Sequence, residues 1–263
     1  LAAGAVAGNV IGPSVGGALA QWFGMINVCI ITCVVLLITL LLTIFLVQED
    51  FEPVEKGDLL SIKEIFGQIK NMQLLVGLFI TSLILQLGVT SISPILTLYI
   101  RDLSGDTGNI LFVSGLIVSV AGVSAIISSP FLGKIGDRYG NHKVLLGGLV
   151  LSFFCFIPMG FVSTPFQLGV LRFLLGFSTG ALMPSINTLI SKITPMEGVS
   201  RIYSYNQMFS NFGLVLGPMV GSTVAAGFGY PAVFWVTSGF VLINIFISGF
   251  NFRKSLRKTD ISE

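Results

Sequence analysis

Residues 4–17 read GAVAGNVIGPSVGG, with glycine at positions 4, 8, 12 and 16, another at 17, and Pro13 directly after Gly12. Glycine and proline are the poorest residues for a helix interior in water, by roughly 1 and 3 kcal/mol relative to alanine. Yet no charged residue interrupts the chain before Glu49. A lipid bilayer removes the contradiction. There a segment must satisfy its backbone groups internally, which enforces the helix, while neighbouring helices tolerate glycine and proline. A face without side chains lets two helix backbones approach closely, so the stretch reads as a membrane helix built for tight packing.

The rest of the chain has the same character. It is 53% hydrophobic and 10% charged, with a mean hydropathy of +0.92, far from the roughly 25% charged residues of soluble domains. One membrane crossing takes roughly 20 apolar residues. Segments of that kind run from 1 to 22, 26 to 47, 73 to 99, 109 to 132, 144 to 163, 166 to 190, 204 to 227 and 231 to 252. This predicts an all-α membrane protein with eight transmembrane helices. The second segment, INVCIITCVVLLITLLLTIFLV, carries no charge at all.

Lys and Arg set the orientation. The connections after the second, fourth and sixth segments and the tail hold Lys56, Lys63, Lys70, Lys134, Arg138, Lys143, Lys192, Arg201, Arg253, Lys254, Arg257 and Lys258, whereas the opposite side holds Arg101. The positive-inside rule puts the rich side in the cytoplasm. Because these cations are spread over several membrane-flanking connections, the net charge of +2 gives no nucleic-acid surface. Cys29, Cys33 and Cys155 all fall in apolar segments, so no disulfide is expected, and without His or carboxylate company the two thiols read as packing rather than metal ligands.

An internal repeat organises the chain. GNVIGPSVGGALAQWFG (8–24) aligns with GLVLGPMVGSTVAAGFG (213–229), pairing Gly8, Gly12, Pro13, Gly16 and Gly24 with Gly213, Gly217, Pro218, Gly221 and Gly229. The first two segments thus correspond to the last two. With a unit of six helices repeated in parallel, as in one large transporter class, residues 1–48 form the last two helices of a first bundle. Residues 49–72 are a cytoplasmic linker, 73–252 a complete six-helix bundle, and 253–263 a cytoplasmic tail. The expected whole is a protein of about 400 residues with twelve helices, four of them preceding Leu1. Within the linker, Leu59, Ile62, Ile65, Phe66 and Ile69 share one helical face opposite Lys63, Glu64 and Lys70. That pattern fits a short helix on the cytoplasmic membrane surface, capped by Asp58 or Ser61.

Two motifs make a resemblance specific. GKIGDRYGNHK (133–143) resembles the cytoplasmic signature G-x-x-x-D-R-x-G-R-[RK] of the major facilitator superfamily. It matches at Gly133, Asp137, Arg138 and Gly140, with Asn141 and His142 in place of two basic residues and Lys143 following. GNVIGPSVGG is similar to the G-x-x-x-G-P-x-x-G-G signature of helix five in the drug:proton antiporters of that superfamily, at Gly8, Gly12, Pro13, Gly16 and Gly17. The resemblance covers the whole chain and is strongest to bacterial multidrug efflux proteins. It implies a major facilitator fold in the cell membrane, export of small lipophilic drugs in exchange for protons by alternating access, no cofactor, and a monomer. It also implies that the helix of Gly12 packs on its repeat partner, the helix of Gly217, Pro218 and Gly221. An uptake symporter of the same fold and an inactive truncated transporter are the competing readings. No nucleophile, metal cluster or acid–base pair points to an enzyme; the sole His is His142.

The resemblance and the physics together nominate the site residues. Asp137, flanked by Arg138 and Lys143 at a helix end, can hold helices together in one conformation and release them in another. Gly133 and Gly140 permit the tight turn. Gln86, Asn187, Asn206, Gln207 and Asn211 are the uncharged polar candidates for a substrate path. Phe79, Phe112, Phe173, Phe177, Met208 and Phe209 suit a pocket for flat lipophilic compounds. Arg172 is the one ion inside a segment and either snorkels or lines the cavity. Proton-carrying carboxylates are expected upstream of Leu1.

Overall fold

The computed structural model describes residues 2–46, 62–69, 71–105 and 109–259. Among them there are helices and turns but no strand. In chain order the helices are α1 (Ala2–Phe23), α2 (Met25–Leu46), α3 (Ile62–Gln68), α4 (Met72–Ser91), α5 (Ser93–Ser104), α6 (Ile110–Tyr139), α7 (Asn141–Met159), α8 (Pro165–Thr179), α9 (Leu182–Ile193), α10 (Val199–Phe228) and α11 (Tyr230–Thr259). A short 3-10 turn, Met196–Gly198, leads into α10. Seven helical stretches are long and apolar enough to cross a membrane, and α1 adds a further 22-residue helix. These correspond to the eight segments read from the sequence.

Two of those segments are broken rather than continuous. Ile92 separates α4 from α5, where Pro94 in the first turn of α5 offers no N–H to continue the ladder. Gly180 and Ala181 separate α8 from α9; a Cβ on Gly180 would collide with the Ala125 carbonyl and Ser128 Oγ of α6. Caps start the helices where the sequence allows. The Asn71 side chain accepts from the Leu74 N–H at 3.1 Å to open α4, and Thr164 accepts from the Gln167 N–H at 3.3 Å to open α8, with Pro165 following. The repeat appears in the backbone as well. Gly24 and Gly229, which align in sequence, turn α1 into α2 and α10 into α11 at φ +80° and +83°, conformations open to glycine alone among common residues.

Packing runs along a few seams. α4 carries α10 on one side and α11 on another, α6 carries α1 and α8, and α7 bridges α8, α9 and α11. Leu75, Leu78, Leu145, Leu149, Leu168 and Phe234 are among the fully covered side chains of this core. Lipid tails are as apolar as leucine, so polar and small residues must supply much of the specificity between helices. The α4–α11 seam shows how. Gln73 Nε2 donates to Asn251 Oδ1 (3.2 Å), Thr81 Oγ1 donates to Asn244 Oδ1 (3.0 Å) and also meets Ser248 Oγ (3.2 Å), and Ser91 pairs with Thr237 (3.1 Å). The steadily falling partner numbers mark an antiparallel pair.

Two outlying helices contrast. None of the described side chains of α2 is buried, and its Thr32, Thr39 and Thr43 satisfy their hydroxyls on carbonyls one turn back, each at 2.8 Å. Cys29 and Cys33 are exposed and free, Cys155 buried and free. Ile65 on α3 and Ile69 just after it are covered by protein: Ile65 lies against Gly198, and the Phe66 ring stands 5.7 Å from that of Tyr205. The Asp58 and Ser61 caps and the acidic half of the linker lie outside the described residues.

Candidate functional site

The opening glycine helix meets α6, not its repeat partner. A Cβ on Gly17 would press on the Leu111 carbonyl and Gly115 Cα, one on Gly115 would strike the Pro13 carbonyl, and Ser14 Oγ donates to Ser119 Oγ at 2.5 Å. The pair is antiparallel, and its close approach spans Pro13–Gly17 against Leu111–Ser119. The resemblance had implied packing on α10, and the structure corrects this for a physical reason. The glycine face of α10 is already filled by α4: Cβ atoms on Gly213, Gly217 and Gly221 would collide with the carbonyls of Leu83 and Ser91 and with Thr90 Oγ1. Pro218 lies half-buried within that helix. By contrast, Cβ atoms on Gly8, Gly12 and Gly16 would meet nothing within 4 Å. Gly115 and Ser119 were missed in the sequence, although their spacing of one turn is a small-xxx-small signal.

The cytoplasmic signature occupies the α6–α7 corner. Asp137 and Arg138 belong to the last turn of α6, which runs to Tyr139, and α7 restarts at Asn141. Gly140, at φ +99°, makes the whole turn, with the His142 ring packed against it. Gly133 has open space beside it; the glycine that the corner needs is Gly136, whose missing Cβ leaves room for the Asn141 side chain. Asn141 is buried, and its Nδ2 has no partner. Asp137, Arg138 and Lys143 are exposed, and the Arg138 guanidinium sits over the Tyr139 ring at 5.4 Å. No ion pair involving Asp137 is found among the described residues.

The polar candidates separate into two groups. Asn206 is buried and accepts from Ser82 Oγ at 2.7 Å, tying α10 to α4. Gln86 is half-buried beside Gly213 on the same seam. Gln207 and Asn211 are exposed, joined by a 3.1 Å hydrogen bond from Gln207 Nε2 to Asn211 Oδ1. With Ser204, Met208, Phe212 and Val215 they line an open groove of about 460 Å³ along α10. Asn187 is exposed, and its carbonyl accepts from the Tyr203 hydroxyl at 3.0 Å.

Among the aromatic candidates, Phe79 is buried and stacks on Phe209 with ring centroids 5.2 Å apart. Phe112, Phe173 and Phe177 are exposed. Arg172 is only 7% exposed, and its Nε has no hydrogen-bond partner. The arrangement offers binding surfaces and close helix seams. Among the described residues, no group of three or more His, Cys, Asp or Glu is placed to hold a metal ion.

Comparison with known proteins agrees with this architecture. The Major Facilitator Superfamily model matches residues 1–114 and 78–261. The chain is 55% identical over 263 residues to the Multi-drug resistance efflux pump PmrA homolog of Lactococcus lactis, covering 100% of this chain and 65% of that protein. It is 47% identical over 254 residues to the Multidrug resistance protein MdtG of Klebsiella pneumoniae, covering 97% of this chain and 62% of that protein. MdtG of Salmonella typhimurium matches at 47% over 254 residues, 97% of this chain and 63% of that protein. The chain therefore spans just under two thirds of the length of these relatives.

Proposed function

Because the chain belongs to the Major Facilitator Superfamily, we propose that it is the larger part of a secondary transporter that exports small lipophilic compounds in exchange for protons. The observation that carries this is the α10 groove. It joins an amide pair, Gln207 and Asn211, to the apolar surfaces of Met208, Phe212 and Val215, on a helical stretch long and apolar enough to cross a membrane. Such a mixture of a few polar groups in an apolar wall suits binding of varied lipophilic molecules. The names of the relatives, multidrug resistance proteins, support the same substrate class.

Alternating access gives the glycine seam its task. Rocking of one helix set against another about a central site requires contacts that close tightly and part cleanly. Gly17 and Gly115 form such a contact, since backbone meets backbone with no side chain to interlock. Cβ atoms on Gly8 and Gly12 would meet nothing within 4 Å, so Gly17 is the glycine of the signature in close contact with α6. In this reading residues 1–48 belong to one bundle and 73–252 to the other, in a cytoplasmic membrane, with the linker and tail inside and the transporter working as a monomer. Exchange for protons rests on the antiporter signature at Gly8, Gly12, Pro13, Gly16 and Gly17.

The test is the steady accumulation of a lipophilic dye in cells expressing the complete reading frame, with and without a protonophore. Lower accumulation that the protonophore reverses is the expected result. Equal accumulation in expressing and control cells, with the protein present in the membrane, contradicts the reading.

A further inference from the structure

The protein holds α3 and the residue after it through three side chains. Ile65 is 2% exposed and Ile69 8%, and the Phe66 ring faces that of Tyr205 on α10. The seat of Ile65 is Gly198, in the 3-10 turn that leads into α10. A Cβ on Gly198 would stand 2.6 Å from Ile65 Cγ2. Its φ of −101° lies on the side that residues with side chains adopt. What this position requires of glycine is space for the isoleucine.

Tyr205 also opens a run at four-residue spacing along one face of α10: Tyr205, Phe209, Gly213, Gly217 and Gly221. In that order this face meets Phe66, Phe79, Leu83, Thr90 and Ser91. Thus α3 continues the α4 side of the seam beyond the start of α4 at Met72. The two ends of the seam differ in kind. Toward Gly221 backbone lies against backbone, whereas toward Tyr205 aromatic rings meet, the last of them supplied by α3. A helix of seven residues is too short to be stable by itself in water, so α3 keeps its form only while it is docked. It is an element with two states, ordered on α10 or released, the kind on which conformational switches are built. The groove proposed above begins in the same turn of α10, where Ser204 and Gln207 flank Tyr205 and Asn206.

We propose that α3 is a latch on the Val199 end of α10, docked in this conformation and released when the groove passes to the other side of the membrane. The latch rests on the export reading, and it gives Ile65, Phe66 and Gly198 a part in conformational control rather than in substrate contact. Docked, α3 fixes the turn carrying Ser204 and Gln207 against α4. Released, it frees that turn to tilt about the glycine contacts. Gly198 serves release as well as docking, because an isoleucine seated on bare backbone has nothing to interlock with.

The test is an engineered disulfide. Ile65→Cys with Gly198→Cys sets two Cβ atoms 3.5 Å apart, at the near edge of the disulfide range. It also removes the isoleucine methyl that a Cβ on Gly198 would strike. The complete protein, with its native cysteines replaced by alanine, is reconstituted in proteoliposomes and transport of a quaternary ammonium dye is followed. Oxidation of the pair stops transport in proportion to the fraction cross-linked, and reductant restores it, while neither single variant responds to the oxidant. Full transport in cross-linked protein would make α3 a fixed part of the bundle and overturn the latch. A pair that forms no cross-link, although both thiols react with maleimide, overturns the docked state. A second measurement leaves Gly198 in place. Ile65→Cys alone is labelled by a hydrophilic maleimide slowly at rest and faster once dye and proton gradient are both supplied; equal rates overturn the latch. Dye transport indifferent to the cross-link sinks this inference alone, whereas wild type that moves no dye sinks the export reading and the latch with it.

Discussion

Gly133 and Gly136 stand one turn apart in α6, and the structure gives them opposite requirements. Nothing lies within 4 Å of a Cβ on Gly133, while one on Gly136 meets the Asn141 side chain. Gly133→Ala is therefore neutral or stabilising by about 0.5–1 kcal/mol, the helix-interior cost of glycine. Gly136→Ala overpacks the corner and costs about 1–3 kcal/mol. Thermal melting of the detergent-purified variants reads both signs. Asp137 makes a subtler case. It sits exposed in the last turn of α6 without an ion pair among the described residues, where the helix dipole disfavours a negative charge. Asp137→Asn should leave the melting temperature unchanged or slightly raised while lowering transport, as expected of a carboxylate proposed to act in another conformation of the cycle. Unimpaired transport in that variant would remove the carboxylate from the gating cycle.

At the scale of elements, seams and grooves divide the labour, and the polar residues divide with them. Asn206 secures α10 to α4, so Asn206→Leu should lower stability by about 0.6 kcal/mol and at most about 1.7, the average and the maximum for hydrogen bonds between membrane helices. Its effect on substrate range should be small. Gln207→Leu should do the reverse, leaving melting unchanged while shifting the relative transport of polar and apolar substrates. The two residues are adjacent in sequence, and only the helix rotation distinguishes them. Gly115→Leu tests the α1–α6 seam. It should abolish transport while membrane insertion persists, because a side chain there strikes the Pro13 backbone. In the sequence of α6 the only sign of this is the Gly115–Ser119 spacing, far weaker than the glycine runs of α1 and its repeat in α10.

For the whole molecule, the membrane class, the eight segments and the repeat were legible because hydropathy and glycine spacing are local properties. The breaks at Ile92 and Gly180 were not, because a window of about 20 residues averages across a one-residue interruption. Nor was the partner of α1. Repeat symmetry relates two helices without saying that they touch, and the glycine faces of α10 and α1 turned out to serve different neighbours. Arg172 was legible as an expense but not as a buried group whose Nε lacks a partner, which depends on the helices packed around it.

The central claim, export driven by protons through this fold, is tested most directly in proteoliposomes holding the complete protein with an acidic lumen and a neutral exterior. The probe is a permanently charged quaternary ammonium dye, which does not follow the pH gradient by itself as a weak base does. The account predicts that the dye enters the lumen as protons leave, accumulates above its external concentration, and stops when the gradient is collapsed. Dye that stays outside, or that moves in the same direction as the protons, would contradict it.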